Sequence, residues 1–365
     1  MTATTSSRAA GAIEALALPA LALVGALLLF GLFVAGMGRD PLQAWALLFK
    51  GAFGDAFSLQ NSLQRAAPLM LTALCVALPA RAGLTIIGGE GALVVGALAC
   101  AGLPYLLPLP QGGVGTAMVL GAAAAAGAAW IMLAGWMRQW RGVNETISSL
   151  LLAYVAVNLF KHLVEGPMRD PASLNKPSTF PLAESVRIGT IGPYDVHWGL
   201  VWGVVACLTA GIWLAFTAHG FATRVVGGNA RAAGLIGLPT GALLLTACAA
   251  GGAAAGLAGG IEVAAVHTAA NASVIVGLGY TGILVSFVAR HQPLAIIPVA
   301  IILGGFGAAG SMLQRRMGLP DASVHVLLGF AFVLILAAEA WRGRLGSLLS
   351  LRGAPLRLAP SREAA

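Results

Sequence analysis

Apolar runs of about 20 residues recur along this chain, separated by short stretches of Gly, Pro and charge. Runs of that length match a helix that crosses the hydrocarbon of a bilayer. Because they are continuous rather than alternating, they predict helices, not barrel strands. Ten spans follow from the pattern: 16–37, 59–80, 84–103, 114–137, 143–164, 196–217, 240–260, 274–289, 294–313 and 324–340. The fold class expected is all-α, a polytopic helical membrane protein. Residues 1–14 read as a disordered polar tail, and the first span as a retained membrane helix, not a cleaved signal. In residues 41–58, Trp45, Phe49, Phe53 and Phe57 alternate with Lys50 and Asp55 at the spacing of an amphipathic helix lying at the interface. Pro68 is expected to break the second span.

With both termini on the cytoplasmic side, Arg8, Arg81, Arg138, Arg141, Arg224, Arg231, Arg290, Arg342 and Arg344 fall inside, as the positive-inside rule asks. Arg39 and the proline-rich loop 165–195 fall outside. Arg315 and Arg316 fall outside too, against the rule, and a miscount around 261–313 is one explanation. The stretch 218–239 carries Arg224 and Arg231, no acid, and a Gly227–Gly228–Asn229 turn followed by room for about two helical turns over 230–237. Two readings stand side by side: a plain basic connector, or a docking surface for a soluble partner.

Polar residues inside apolar spans carry most of the chemistry. A charge at mid-membrane costs about 2.5–3.5 kcal/mol on insertion scales, so each should face a cavity or a partner. Asn61, Gln64 and Arg65 open the second span, and Glu90 lies among glycines in the third. Glu262, His267, Thr268, Asn271 and Ser273 make 261–275 a poor lipid-facing helix, better suited to a re-entrant or broken segment. A translocation route lined by Asn61, Gln64, Glu90, His267 and Asn271 fits these positions, and so does a buried structural network. Phe57, Tyr280 and Phe306 offer faces for a planar solute, or simply core. Asn144 and Glu145 suit the cap and first turn of the fifth span, beside a functional reading. The spacing Gly252–Gly256–Gly260 calls for intimate helix contact. Glycine-rich surroundings of both Glu90 and Glu262 suggest an internal duplication.

Composition narrows the rest. Only 9% of residues are charged and mean hydropathy is +0.88, which sets the chain apart from soluble domains. The net charge of +8 is spread over span ends, so it marks topology and lipid contact and not nucleic-acid binding. Cys75, Cys100, Cys207 and Cys248 lie in apolar segments without a CxxC, as packing residues, and no metal site is read. There is no phosphate-binding GxxxxGK[ST], no HExxH and no serine-centred nucleophile motif, so an enzyme has little support. A proton-coupled secondary transporter using Glu90 or Glu262, and a membrane scaffold, stand as rivals to a driven importer.

Three segments carry a resemblance. Arg65–Ala97, RAAPLMLTALCVALPARAGLTIIGGEGALVVGA, is similar to a family segment running from an AP pair through AGLFNIGxEGQ. GVNETISS at 142–149 resembles a GVNEVI start, and Arg224–Gly237 with the Gly/Ala span to Glu262 resembles a coupling region and its following GLAG helix. Gly279–Ile283 resembles GxGFxGI. Together they resemble the permease subunits of bacterial ABC importers of the branched-chain amino acid and ribose superfamily, nearest those for nucleosides that work with basic membrane lipoproteins.

The resemblance implies a permease domain over 1–345, an extracytoplasmic loop at 165–195, a coupling loop at 218–239 and a cytoplasmic tail at 346–365. It implies an inner-membrane location and four kinds of partner: a second homologous permease, ABC ATP-binding subunits, an extracytoplasmic solute-binding lipoprotein and membrane lipid. ATP and Mg would sit in the partner ATPase, leaving no cofactor here. The implied solute is a nucleoside or purine-like compound, with a sugar or amino acid as the alternative. Asn61, Gln64, Glu90 and Asn271 are assigned to the pathway, and Asn144, Glu145, Glu262 and His267 to structure or cavity lining. Arg224, Gly228, Asn229, Arg231, Gly234 and Gly237 are assigned to the ATPase contact. The family's Asn before Ile-Gly is replaced in Thr85–Ile86–Ile87–Gly88 and its Gln after Glu-Gly is Ala92, which weakens the nucleoside assignment.

Overall fold

The structure, a computed structural model, describes residues 3–341, with side chains from Leu18 to Ala340. The expected tail 346–365, Arg342 and Arg344, and the Arg8 side chain lie outside the described residues. Thirteen α-helices follow one another: α1 (Ala3–Gly36), α2 (Pro41–Phe53), α3 (Ala56–Arg81), α4 (Gly89–Leu106), α5 (Gly113–Arg141), α6 (Glu145–Glu165), α7 (Gly199–Phe216), α8 (Ala218–Gly228), α9 (Ala230–Leu235), α10 (Thr240–Ile261), α11 (Leu278–Val288), α12 (Pro293–Met317) and α13 (Ser323–Trp341). Among the described residues nine helices are long and apolar enough to cross a membrane. The tenth expected span is met by the shorter α11, eleven residues or about 16 Å, preceded by an irregular stretch.

Several boundaries differ from expectation. α1 starts at Ala3, where a disordered tail was expected, and Leu18–Gly36 of it has membrane-spanning character. α2 ends at Phe53, so Phe57 of the expected interfacial helix falls in α3, and α2 packs on α12 with Gly51 against Ala309 and Met312 and Ala52 beside Gly305. α3 is continuous through Pro68; its Thr72 hydroxyl donates back to the Pro68 carbonyl at 3.0 Å. Asp40, Asp55 and Asn144 each cap a helix with a side-chain oxygen.

Glycine sets the closest approach of helices in the bundle. A Cβ on Gly252 would strike the Gly127 carbonyl of α5, and one on Gly256 the Ala123 carbonyl. One on Gly259 would strike the Leu93 carbonyl of α4. The backbones of α4, α5 and α10 therefore touch without intervening side chains, as small residues allow in lipid.

The helix ends sort into two groups. At one, here the loop end, residues 165–195 fold over the end of α10: Thr179, Leu182 and Ile188 donate backbone N–H to Ala270, Thr268 and Ala264. Arg39 approaches Gly318 there. At the other, the α9 end, the turn after α3 meets α8 at Gly227 and the α11–α12 turn at His291. α12 carries Arg315 and Arg316 to the loop end, so the span count is not what sets them against the positive-inside pattern. α3, a break and α4 run opposite in sense to α10, a break and α11. Glu90 lies after the first break and Glu262 before the second, so the duplication does not equate them.

Candidate functional site

A cavity of about 510 Å³ opens at the loop end between α3, the end of α10, α11, α12 and α13. Asn61, Gln64 and Arg65 reach it because they occupy the first turns of α3. Glu262 and His267 reach it because α10 ends in a turn of π-helix, Glu262–His267, closed by Thr268 at φ +59°. π-Helical turns are rare and collect at functional sites, where the extra residue re-aims side chains. Glu262 Oε2 lies 3.6 Å from His267 Nε2. Arg315, Asp321 and His325 complete the charged wall, and Phe57, two-thirds exposed, supplies an aromatic face. The Gln64 amide donates to the Asp195 carbonyl, tying α3 to the long loop.

A second cavity, about 570 Å³ and largely apolar, lies along α11 and α13. Thr85, Ile87, Tyr280, Phe287 and Leu336 are among its walls. Val276, Thr281, His325 and Leu328 line both cavities, so a polar chamber and an apolar one adjoin at that point.

The expected site residues part company here. Asn61, Gln64, Glu262 and His267 share the polar cavity. Glu90 is 1% exposed, and its two carboxylate oxygens accept from Gly277 N (3.0 Å) and Gly279 N (2.6 Å). It therefore holds the amino end of α11 against the amino end of α4, where both helix dipoles favour an anion. Asn271 is buried; its Oδ1 accepts from Ser273 N, and it bridges Ser178 of the long loop. Phe306 is buried against Phe49 and faces neither cavity, while Tyr280 faces the apolar one. Asn144 caps α6, and Glu145 pairs with Arg138 at 3.3 Å and meets Thr85 N at 3.5 Å. Arg315, Asp321 and His325 were not singled out as site residues; the anomaly of Arg315 in the charge pattern was the available signal.

At the α9 end, Asn229 Oδ1 caps α9 by accepting from Ala232 N at 3.0 Å. Arg224, Gly228, Asn229, Arg231, Gly234 and Gly237 are all exposed. So are two large apolar side chains, Leu235 (89%) and Ile236 (71%).

A comparison across protein families decides what such a bundle is. Residues 58–337 match the family described as branched-chain amino acid transport system / permease component. The chain belongs to that family. It is similar to a glucose ABC transporter permease protein of Haloferax volcanii, 32% identical over 92% of this chain and 91% of the relative. It is similar also to a guanosine ABC transporter permease protein of Bacillus subtilis, 24% identical over 91% and 96%. A nucleoside ABC transporter permease protein of Lactococcus lactis is 24% identical over 88% and 90%. The chain is thus an ABC importer permease subunit for a small solute, a multi-pass inner-membrane transport component and not an enzyme. Membership in this family sets aside the secondary-transporter and scaffold readings. ATP-binding and substrate-binding partners follow from the family.

Proposed function

We propose that this permease imports a nucleoside or purine-like compound through the polar cavity, then the apolar one, towards the α9 end. The single observation behind this is that the two cavities adjoin and share Val276, Thr281, His325 and Leu328 in their walls. The amides of Asn61 and Gln64, the Glu262 carboxylate and the Arg65 guanidinium suit ribose hydroxyls and base edges, and Phe57 suits a purine face. Glu90 and Asn271 serve this route at one remove, by shaping the ends of the segments that form its wall.

In this reading α8 and α9 dock on the ATP-binding subunit, which holds ATP and Mg. Arg224 and Arg231 give the contact its charge, and Leu235 and Ile236 its apolar tip. Gly228, Asn229, Gly234 and Gly237 shape the turn. A second permease completes the conduit, and a solute-binding lipoprotein delivers at the loop end. A hexose is the second reading, favoured by the 32% identity to the glucose permease protein. Its hydroxyls would use the same carboxylate and amides without the aromatic face.

The experiment is uptake of radiolabelled guanosine by the reconstituted complex, with glucose and leucine as competitors. Guanosine uptake resistant to both sugars and amino acids is the expected result. Competition by glucose alone selects the hexose reading and overturns the first.

A further inference from the structure

α11 borders the polar cavity at Leu278 and Thr281 and the apolar one from Tyr280 to Phe287, and it is gripped at each end. At its amino end Val276 and Thr281 stand where the two cavities meet, and Glu90 holds the first amides. At its carboxyl end the chain turns through Arg290 and His291, both at φ +54°. Left-handed backbone costs a side-chain-bearing residue about 1–3 kcal/mol and persists where the surroundings impose it. Here the turn presents two carbonyls to one side chain. Arg81 Nε donates to the His291 carbonyl at 2.9 Å, and Arg81 Nη2 to the Arg290 carbonyl at 3.5 Å. Ser286 Oγ and His291 Nδ1, 2.9 Å apart, fasten the turn to α11 itself.

The backbone of Arg81 makes a second contact. Its carbonyl lies against Gly227 of α8 so closely that no Cβ fits there, and Gly83 lies against the Gly227 carbonyl. One residue thus touches α8 through its main chain and the end of α11 through its guanidinium. No other route from α8 to α11 is needed for a displacement at the α9 end to reach Thr281.

We propose that Arg81 is a positioning residue that makes α11 follow the α8–α9 segment, so that ATPase movement narrows or widens the passage at Val276 and Thr281. This rests on the docking reading of α8–α9. Arg81→Lys retains a donor for one carbonyl, Arg81→Ala retains none, and Gly227→Ala forces α8 away from the Arg81 carbonyl while leaving the guanidinium intact.

The test uses the complete reconstituted complex with its binding lipoprotein. Basal ATP hydrolysis is measured beside hydrolysis stimulated by solute-loaded lipoprotein, with solute uptake in parallel. In Arg81→Ala the ATPase still co-purifies and basal hydrolysis stays, while stimulation and maximal uptake fall about tenfold or more at unchanged KM for the loaded lipoprotein, within the usual range of coupling energies; in Gly227→Ala stimulation and uptake fall likewise. Arg81→Lys recovers part of the loss. Full stimulation in Arg81→Ala, or loss of basal and stimulated hydrolysis in equal proportion in all three variants, overturns the proposal. A wild-type complex whose ATPase does not touch α9 by crosslinking overturns the docking reading on its own, before Arg81 is reached.

Discussion

Glu90 joins two segments that lie far apart in the chain, and it does so with both oxygens. Glu90→Ala leaves two inward-facing amides unpaired, at about 1–3 kcal/mol each, whereas Glu90→Gln keeps one acceptor. Thermal unfolding in detergent should therefore rank wild type above Glu90→Gln above Glu90→Ala. Equal midpoints would remove the structural role. Its oddness was legible in the sequence, as a carboxylate among glycines, but its partners were not, because Gly277 and Gly279 give no local sign that their amides lack acceptors. The Asn144 cap was easier, since it bonds amides two and three residues on, a distance that spacing alone reveals; Asn229, read only as part of a turn, caps α9 in the same way. A pH effect also belongs at this scale. Burial and the Arg81 charge push the His291 imidazole down to about 4, and burial lowers that of His197 as well. Each is protonated in the unfolded chain before it is in the folded one. The His291 contribution is complete above about pH 6.5 and is lost as pH falls towards 4, and that of His197 falls in the same direction below its ordinary value. Unfolding midpoints should drop across that window, and His291→Gln should flatten the drop.

At the scale of elements the glycine seam is the plainest case. The Gly252–Gly256–Gly260 spacing announced close contact, and α5 and α4 meet it with backbone. Gly256→Leu should wedge α5 from α10 and sharply lower the yield of monodisperse protein, more than Gly241→Leu, whose neighbour is the flexible Gln139 side chain. Equal behaviour of the two would argue against the seam. The short α11 was less legible. Its apolar run has the composition of a span, and the preceding TAANAS carries polarity that periodicity can mark as irregular but cannot shape. The π-turn at Glu262–His267 has no local code, since it depends on what the long loop covers. Continuity of α3 through Pro68 was likewise decided by packing, in a helix buried along most of its length.

For the whole molecule, nine of the ten expected spans return among the described residues as helices long enough to cross, and the tenth only as the short α11. What hydropathy missed was the wall of the polar cavity, because it draws on five helices far apart in sequence. Arg315 shows the limit: it ran against the charge rule for a reason that only assembly reveals, a place beside Asp321 and His325 in the cavity wall. Reversing charge at the opposite end, with Arg224→Glu and Arg231→Glu together, should abolish solute-stimulated ATP hydrolysis while leaving binding to the lipoprotein intact. Retained stimulation would remove those arginines from the contact.

The three helices that meet through glycine have no sheath of side chains over which to slide. They must travel as one solid block in any transport cycle, so the give in the machine has to come from the opposite flank, where α11, α12 and α13 border open space. A tether between α5 and α10 should therefore leave turnover untouched, and one between α11 and α13 should stop it.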